Sequence, residues 1–330
     1  MSNITAVTET SSTTTATEKS STITTEKKDN TNRKWTQNGI TVAGGNRQGS
    51  QLNQLNRPLK VYVDNDNDQM MYIVDGHNDR VVKWKQGEKN GEVIAGGNGY
   101  GNQTNQLWSP TDIIIDKSTD SLIICDLKNR RVVRWFNKKN IHQQIILSNI
   151  DCSDIAMDNN GDIYVLDFQY FEVRRWREGN THGTIVADEN GVNDTGYRKG
   201  TLIHLFVDQD NSVYVSDIEN HRVIKWKKGA EEATVVAGGQ GRGNKLTQLN
   251  TPKGIFVDQQ GNIYVADAFN NRIMRWSDGS KEGTIIVGGN EGSQPNRLND
   301  PSALSFDRQG NLYVADSGNH QVQKFNIISD

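Results

Sequence analysis

Apolar residues in this chain come in short runs, separated by polar clusters rich in Gly, Asn and Asp. Residues 249–289 show the pattern most plainly. The runs at 254–257, 263–266, 272–276 and 284–287 read as four strands with turn residues between them. No segment keeps apolar residues at a 3.6-residue spacing for the length of a helix, so none is predicted. Moved along the chain, this unit lays Trp276 onto Trp84, Trp135, Trp176, Trp226 and Phe325. Consecutive anchors are 51, 41, 50, 50 and 49 residues apart, a repeat of about 50. Aspartates mark the copies twice more. Asp64, Asp116, Asp158, Asp208, Asp258 and Asp307 close the innermost strand, and Asp75, Asp126, Asp167, Asp217, Asp267 and Asp316 close the second.

A four-stranded sheet this small cannot bury both of its faces alone. Stacking the copies around an axis buries them, and closing the ring leaves only short edges. The sixth copy stops after its third strand, near Ile328, while residues 35–45 carry a fourth-strand pattern with nothing before it. Joining the two removes both free edges. The expectation is an all-β, six-bladed propeller over residues 35–330, closed by an N-terminal strand that joins the C-terminal blade. Residues 1–34 hold 16 Ser and Thr and almost no apolar side chains, so this tail is expected to be disordered.

Three motifs carry a family resemblance. They are the Asp-x-x-Asn-x-Arg-(Val/Ile) element, the Gly-Asn-Ile-Tyr-Val-Ala-Asp run at 261–267, and Leu-x-x-Pro before the first strand of a copy. Together they resemble the NHL-repeat family of β-propellers across residues 35–330. The resemblance implies the propeller fold. It leaves function open, because such propellers serve as protein-binding modules, as RNA-binding modules and, in one family, as zinc lyases.

Charge and composition narrow the choice. Net charge is −3, and leaving out the first 34 residues makes it −4, whereas nucleic-acid binders usually carry a basic excess. No apolar stretch approaches the length of a membrane span, and no signal-peptide core is visible, which favours the cytoplasm. Cys125 and Cys152 are too few for a disulfide scaffold and are expected as reduced thiols. A monomer without a cofactor is expected.

Repeated motifs are expected to be structural. Asp75/Asn78/Arg80, Asp126/Asn129/Arg131, Asp217/Asn220/Arg222 and Asp267/Asn270/Arg272 place an acid and a base across a tight turn in four blades. The anchor tryptophans suit the gaps between blades. The Gly-Gly pairs at 44–45, 96–97, 238–239 and 288–289 are followed by no helix, so they read as turns and not phosphate loops.

Function is sought where the copies disagree. Four residues before each inner aspartate stand Lys60, Asp112, Asp154, His204, Gly254 and Ala303. Strand alternation places this set on a face different from the apolar positions one and three back, at the mouth of a central channel. The set reads first as an ion-paired, water-filled channel lip. Asp112, Asp154 and His204 are alternatively candidate metal ligands, with Lys60 as a competing counter-charge. They support one alternative reading, a metal-dependent lyase or hydrolase resembling the amidating lyase. His77, His142, His182, His221 and His320 fall in turns or connections, so the several channel histidines of those lyases are missing.

The second irregular set lies on the loops of blades 2–4: Lys128, Arg130, Phe168, Tyr170, Phe171, Tyr197, Arg198 and Lys199. Aromatics bordered by cations suit a protein or peptide partner, and that is the principal reading: a non-catalytic binding module. Single-stranded RNA is the other partner such a set can take. Blade 3 puts Tyr170 and Glu172 where other blades have Asn and Arg, so its rings are alternatively inward fillers.

Overall fold

The computed structural model describes residues 33–328 apart from 65, 67–69, 138–142, 178, 181, 189–190, 192–201 and 290–296. Tail residues 1–32 and site candidates Tyr197, Arg198 and Lys199 thus lie outside the described residues. Six four-stranded antiparallel sheets form a six-bladed propeller. Their inner strands are Lys60–Asp64, Pro110–Asp116, Cys152–Met157, Leu202–Val207, Pro252–Val257 and Pro301–Phe306. No α-helix occurs among the described residues, and no helix is long and apolar enough to cross a membrane.

The ring closes as the split sixth copy requires. Ile40–Gly44 pairs antiparallel with Gln321–Phe325, Ile40 lying opposite Lys324 and Gly44 opposite Gln321. A second pairing, Lys34–Trp35 with Ile327–Ile328, continues the closure. Trp35 is buried there, and its indole N–H donates to the carbonyl of Gly310 at 2.9 Å.

Six apolar clusters hold the molecule together, each straddling two neighbouring blades. The third-strand anchors pack against the blade before their own. Trp276 meets Tyr214 and Val223 of blade 4, and Phe325 meets Tyr264 and Ile273 of blade 5. Trp84 of blade 1 joins Tyr313 and Val322 of blade 6, so the closing interface has the same core as the others. Burying one such side chain stabilises by roughly 1.5–3 kcal/mol.

The Asp-x-x-Asn-x-Arg turns are structural. Arg80 Nε donates to Asp75 Oδ2 at 2.8 Å, while its Nη atoms reach the carbonyls of Ser50 and Gln54 at 2.6 and 2.9 Å. Each arginine thereby ties the loop arriving from the previous blade to its own turn. Blades 2 and 5 repeat the arrangement through Arg131 and Arg272. In blade 6 the amides of Gln321 and Gln323 donate to Asp316 instead, at 2.9 and 2.7 Å. The Gly-Gly pairs are turns with positive φ; a Cβ on Gly96 would sit 2.2 Å from the carbonyl oxygen of Asp79.

One expectation is corrected. Cys125 and Cys152 are not free thiols but form a buried disulfide, with Cα atoms 5.4 Å apart. Blade stacking lays the inner strand of blade 3 against the second strand of blade 2, which brings together two residues 27 apart in sequence.

Candidate functional site

Loops leading into the inner strands and turns joining second to third strands share one side of the ring, the upper face. At its centre the structure gathers Lys60, Asp112, Asp154 and His204. Lys60 Nζ lies 3.0 Å from Asp112 Oδ2 and 3.1 Å from Asp154 Oδ1. Asp154 Oδ2 lies 2.9 Å from His204 Nδ1 and accepts the backbone N–H of Leu205 at 3.1 Å. Asp112 accepts the N–H groups of Ile113 and Ile155 at 2.7 and 3.1 Å. Both carboxylates are buried, and one cation, one imidazole and backbone donors satisfy them. In the equivalent position blades 5 and 6 carry Gly254 and Ala303, which have no polar side chain; a Cβ on Gly254 would meet Ala303 Cα at 2.7 Å, so two blades touch closely there.

Electrostatics follow from this packing. Burial would lower the Lys60 pKa, but the two carboxylates outweigh it and hold the ammonium charged, above its ordinary value. Burial, and then the charge of Asp154, pushes the Asp112 carboxyl well above the usual carboxylate range. Burial, with the Lys60 and Lys253 ammoniums nearby, drives His204 down to about 3. His204 is therefore neutral, with Nδ1–H donating to Asp154. The three candidate metal ligands do stand together, but around an ammonium that already occupies the position between the carboxylates. Among the described residues no group of three or more His, Cys, Asp or Glu is arranged to hold a metal ion.

Outward from the channel, the loop residues divide. Lys128 and Arg130 are exposed on the blade 2 turn. Arg130 pairs with Asp151 Oδ2 and donates to Gln169 Oε1, both at 3.0 Å, linking blade 2 to blade 3. Phe168 is 41% exposed and Tyr170 58%. Phe171 turns inward at φ 52°, packs on the core between blades 3 and 4, and meets Phe168 edge-on at 5.6 Å.

Two residues missed from the sequence extend this surface. Trp108 is 43% and Tyr100 69% exposed, with ring centroids 5.6 Å apart. The Trp108 carbonyl accepts the N–H of Lys128 at 3.1 Å, so the rings border the blade 2 cations. The signal was present: Leu107-Trp108-Ser109-Pro110 carries Trp where the loops before Pro58, Pro252 and Pro301 carry Asn.

The same region lacks a clasp used elsewhere. After the turn Asn, a left-handed residue accepts a backbone N–H from the next blade: Asp79 from Ser109 at 2.8 Å and Asn271 from Asp300 at 2.9 Å. His221 Nδ1 does this for Thr251 at 3.2 Å and His320 Nδ1 for Arg57 at 3.1 Å. Burial, then Arg242 beside His221 and Arg57 beside His320, lowers both pKa values and keeps Nδ1 available as an acceptor. Arg130 and Phe171 occupy this position in blades 2 and 3 and have no side-chain acceptor.

Comparison with known proteins bears on the fold. An auxiliary nutrient binding protein from Bacteroides thetaiotaomicron VPI-5482 has a similar structure, with TM-score 0.69 at 14% identity, covering 90% of this chain and 77% of that one. A gluconolactonase from Xanthomonas campestris has TM-score 0.60 at 13% identity, covering 88% and 98%. A streptogramin B lyase has TM-score 0.57 at 11% identity, again covering 88% and 98%. No curated protein matches the sequence. The family model for the NHL repeat matches residues 298–325, the copy that the N-terminal strand completes. Six such copies stand in register around one axis, so the chain is a six-bladed β-propeller that carries an NHL repeat at residues 298–325.

Proposed function

We propose that this propeller is a non-catalytic binding module that holds a protein or peptide on the upper face of blades 2 and 3. One observation carries the reading: Tyr100, Trp108, Phe168 and Tyr170 expose large rings beside Lys128 and Arg130. Blades 1 and 5 place Gln48 or Arg242 in the position of Tyr100, Asn in those of Trp108 and Tyr170, and Gly76 or Ala268 in that of Phe168. Such rings supply the buried anchors from which peptide affinity mostly comes. Tyr197, Arg198 and Lys199, which precede the inner strand of blade 4 in the sequence, belong to the proposal as further contact candidates. The channel cluster supports binding better than chemistry, since Lys60 is held protonated and both carboxylates are engaged. Single-stranded RNA is the rival occupant of these rings, and the acidic net charge weighs against it.

Peptide-library selection against the full chain tests the proposal. Selected peptides should lose at least about 2 kcal/mol of affinity for Trp108→Ala/Tyr170→Ala, with an unchanged melting temperature. They should bind Phe269→Ala normally, since Phe269 is an exposed ring on the regular blade 5 turn. Peptides that ignore the double substitution, or binding of single-stranded RNA oligonucleotides with a steep salt dependence in place of peptides, would overturn it.

A further inference from the structure

A second surface lies on the opposite side of the ring, where hairpins joining first to second strands emerge. A cavity of about 1000 Å³ opens there over blades 4, 5 and 6. Its wall is aromatic. Phe206 and Phe256 stand two residues before their inner-strand aspartates, on the same side of the strand as the channel-mouth set. Their rings lie 5.6 Å apart, Phe256 lies 5.0 Å from Phe306, and Phe306 lies 4.9 Å from Tyr264. The three phenylalanines are half-buried, so part of each ring faces the cavity.

Carboxylates surround this wall, and they differ in what they hold. Asp258 is spent on its own turn, accepting the N–H groups of Gln260 and Asn262 at 3.0 and 2.9 Å. Asp208 holds Lys225 at 3.6 Å, and that ammonium lies 4.7 Å over the ring of Tyr214. Asp210 and Asp278 are exposed on the rim and have no ion-pair partner among the described residues. Of the other lining cations, Arg308 pairs with Asp66, and Arg33 stands near Gly310 at the blade 6 side. The blade 4–5 rim is left with negative charge in excess beside exposed π faces, the combination that attracts an organic ammonium ion. Lys225, set between Asp208 and Tyr214, already shows it within the chain.

We propose that this lower-face cavity binds a small organic cation with an apolar body, an arylalkyl ammonium, its ring against Phe206 and Phe256 and its ammonium toward Asp210 and Asp278. The cavity is within the size range of small-molecule sites. The test is calorimetry on the full chain with phenethylammonium as the probe. Saturable one-to-one binding is expected, together with at least tenfold weaker binding of 3-phenylpropionate, whose charge is reversed, and of ethylammonium, which lacks the ring. Asp210→Asn/Asp278→Asn changes only exposed carboxylates; it should weaken phenethylammonium about tenfold with the melting temperature unchanged. The upper-face variant Trp108→Ala/Tyr170→Ala should bind it normally. No saturable binding at millimolar concentration, equal binding of 3-phenylpropionate, or an unaffected Asn double variant would each overturn the proposal.

Discussion

Lys60 is the residue on which the channel cluster depends. It is the cation shared by two buried carboxylates, and removing it strands their charge. Lys60→Met should destabilise by about 3–5 kcal/mol at neutral pH, the usual cost of breaking a buried pair from one side. Because burial already raises the Asp112 pKa, that variant should recover stability as the pH falls and the carboxyl protonates. Urea denaturation at pH 7 and pH 5 reads both effects, and a loss independent of pH would contradict this account. His204 titrates the other way. Its folded pKa of about 3 lies below the unfolded value near 6.5, so its contribution is intact above pH 6.5 and erodes as the pH falls below it, by roughly 1.4 kcal/mol per unit. Stability of the native protein between pH 7 and pH 5 should therefore drop more steeply than that of His204→Gln, measured by the same denaturation.

At the scale of the turn and strand, blade 3 departs most from the rest. It has no Leu-x-x-Pro lead-in, and neither Arg130 before it nor Phe171 within it offers a side-chain acceptor to a backbone N–H of the following blade. The Cys125–Cys152 disulfide bridges the blade 2–3 junction, where that acceptor is missing and Arg130 pairs with Asp151 instead. Closing a loop of 27 residues stabilises by about 3.5 kcal/mol in the chain-entropy picture. Thiol titration of the unfolded, unreduced chain should find no free cysteine, and reduction should lower the melting temperature by an amount matching Cys125→Ala/Cys152→Ala. Two titratable thiols would contradict the bridge. The Asp–Asn–Arg turns invite a graded comparison. Arg272→Gln imitates Gln321 of blade 6 and keeps a donor for Asp267, so it should cost clearly less than Arg272→Met, which leaves that buried carboxylate without one of its donors. Equal losses on chemical denaturation would show that the donor is unimportant.

For the whole molecule, stability rests on closing the ring. Each core cluster is shared by two blades, so a free blade edge exposes half of a core as well as a row of backbone groups. Deleting residues 35–45 removes Ile40–Gly44 from blade 6 and takes Trp35 from its cluster with Tyr264 and Phe325. The shortened chain should unfold broadly, with much reduced cooperativity in calorimetry; a melting transition like that of the intact chain would count against this closure.

The sequence by itself determined the repeat, the blade number, the closure and the structural standing of the Asp-x-x-Asn-x-Arg turns. All of these arise from local patterning: strand alternation, turn residues at fixed offsets and an aromatic anchor once per copy. The same alternation brought Lys60, Asp112, Asp154 and His204 to one channel mouth, because positions equivalent in each copy must converge on the axis. Only the tertiary structure decided how they share charge, since the ammonium of Lys60 reaches across two other blades. It alone turned Phe171 inward while Tyr170 stayed outside, a choice made by the core of the next blade. It also joined Cys125 to Cys152 and set the phenylalanines of three blades in one wall. Each of these is a contact between different copies of the repeat. The pattern within one copy specifies a strand and its faces, whereas distances between copies depend on how the blades stack.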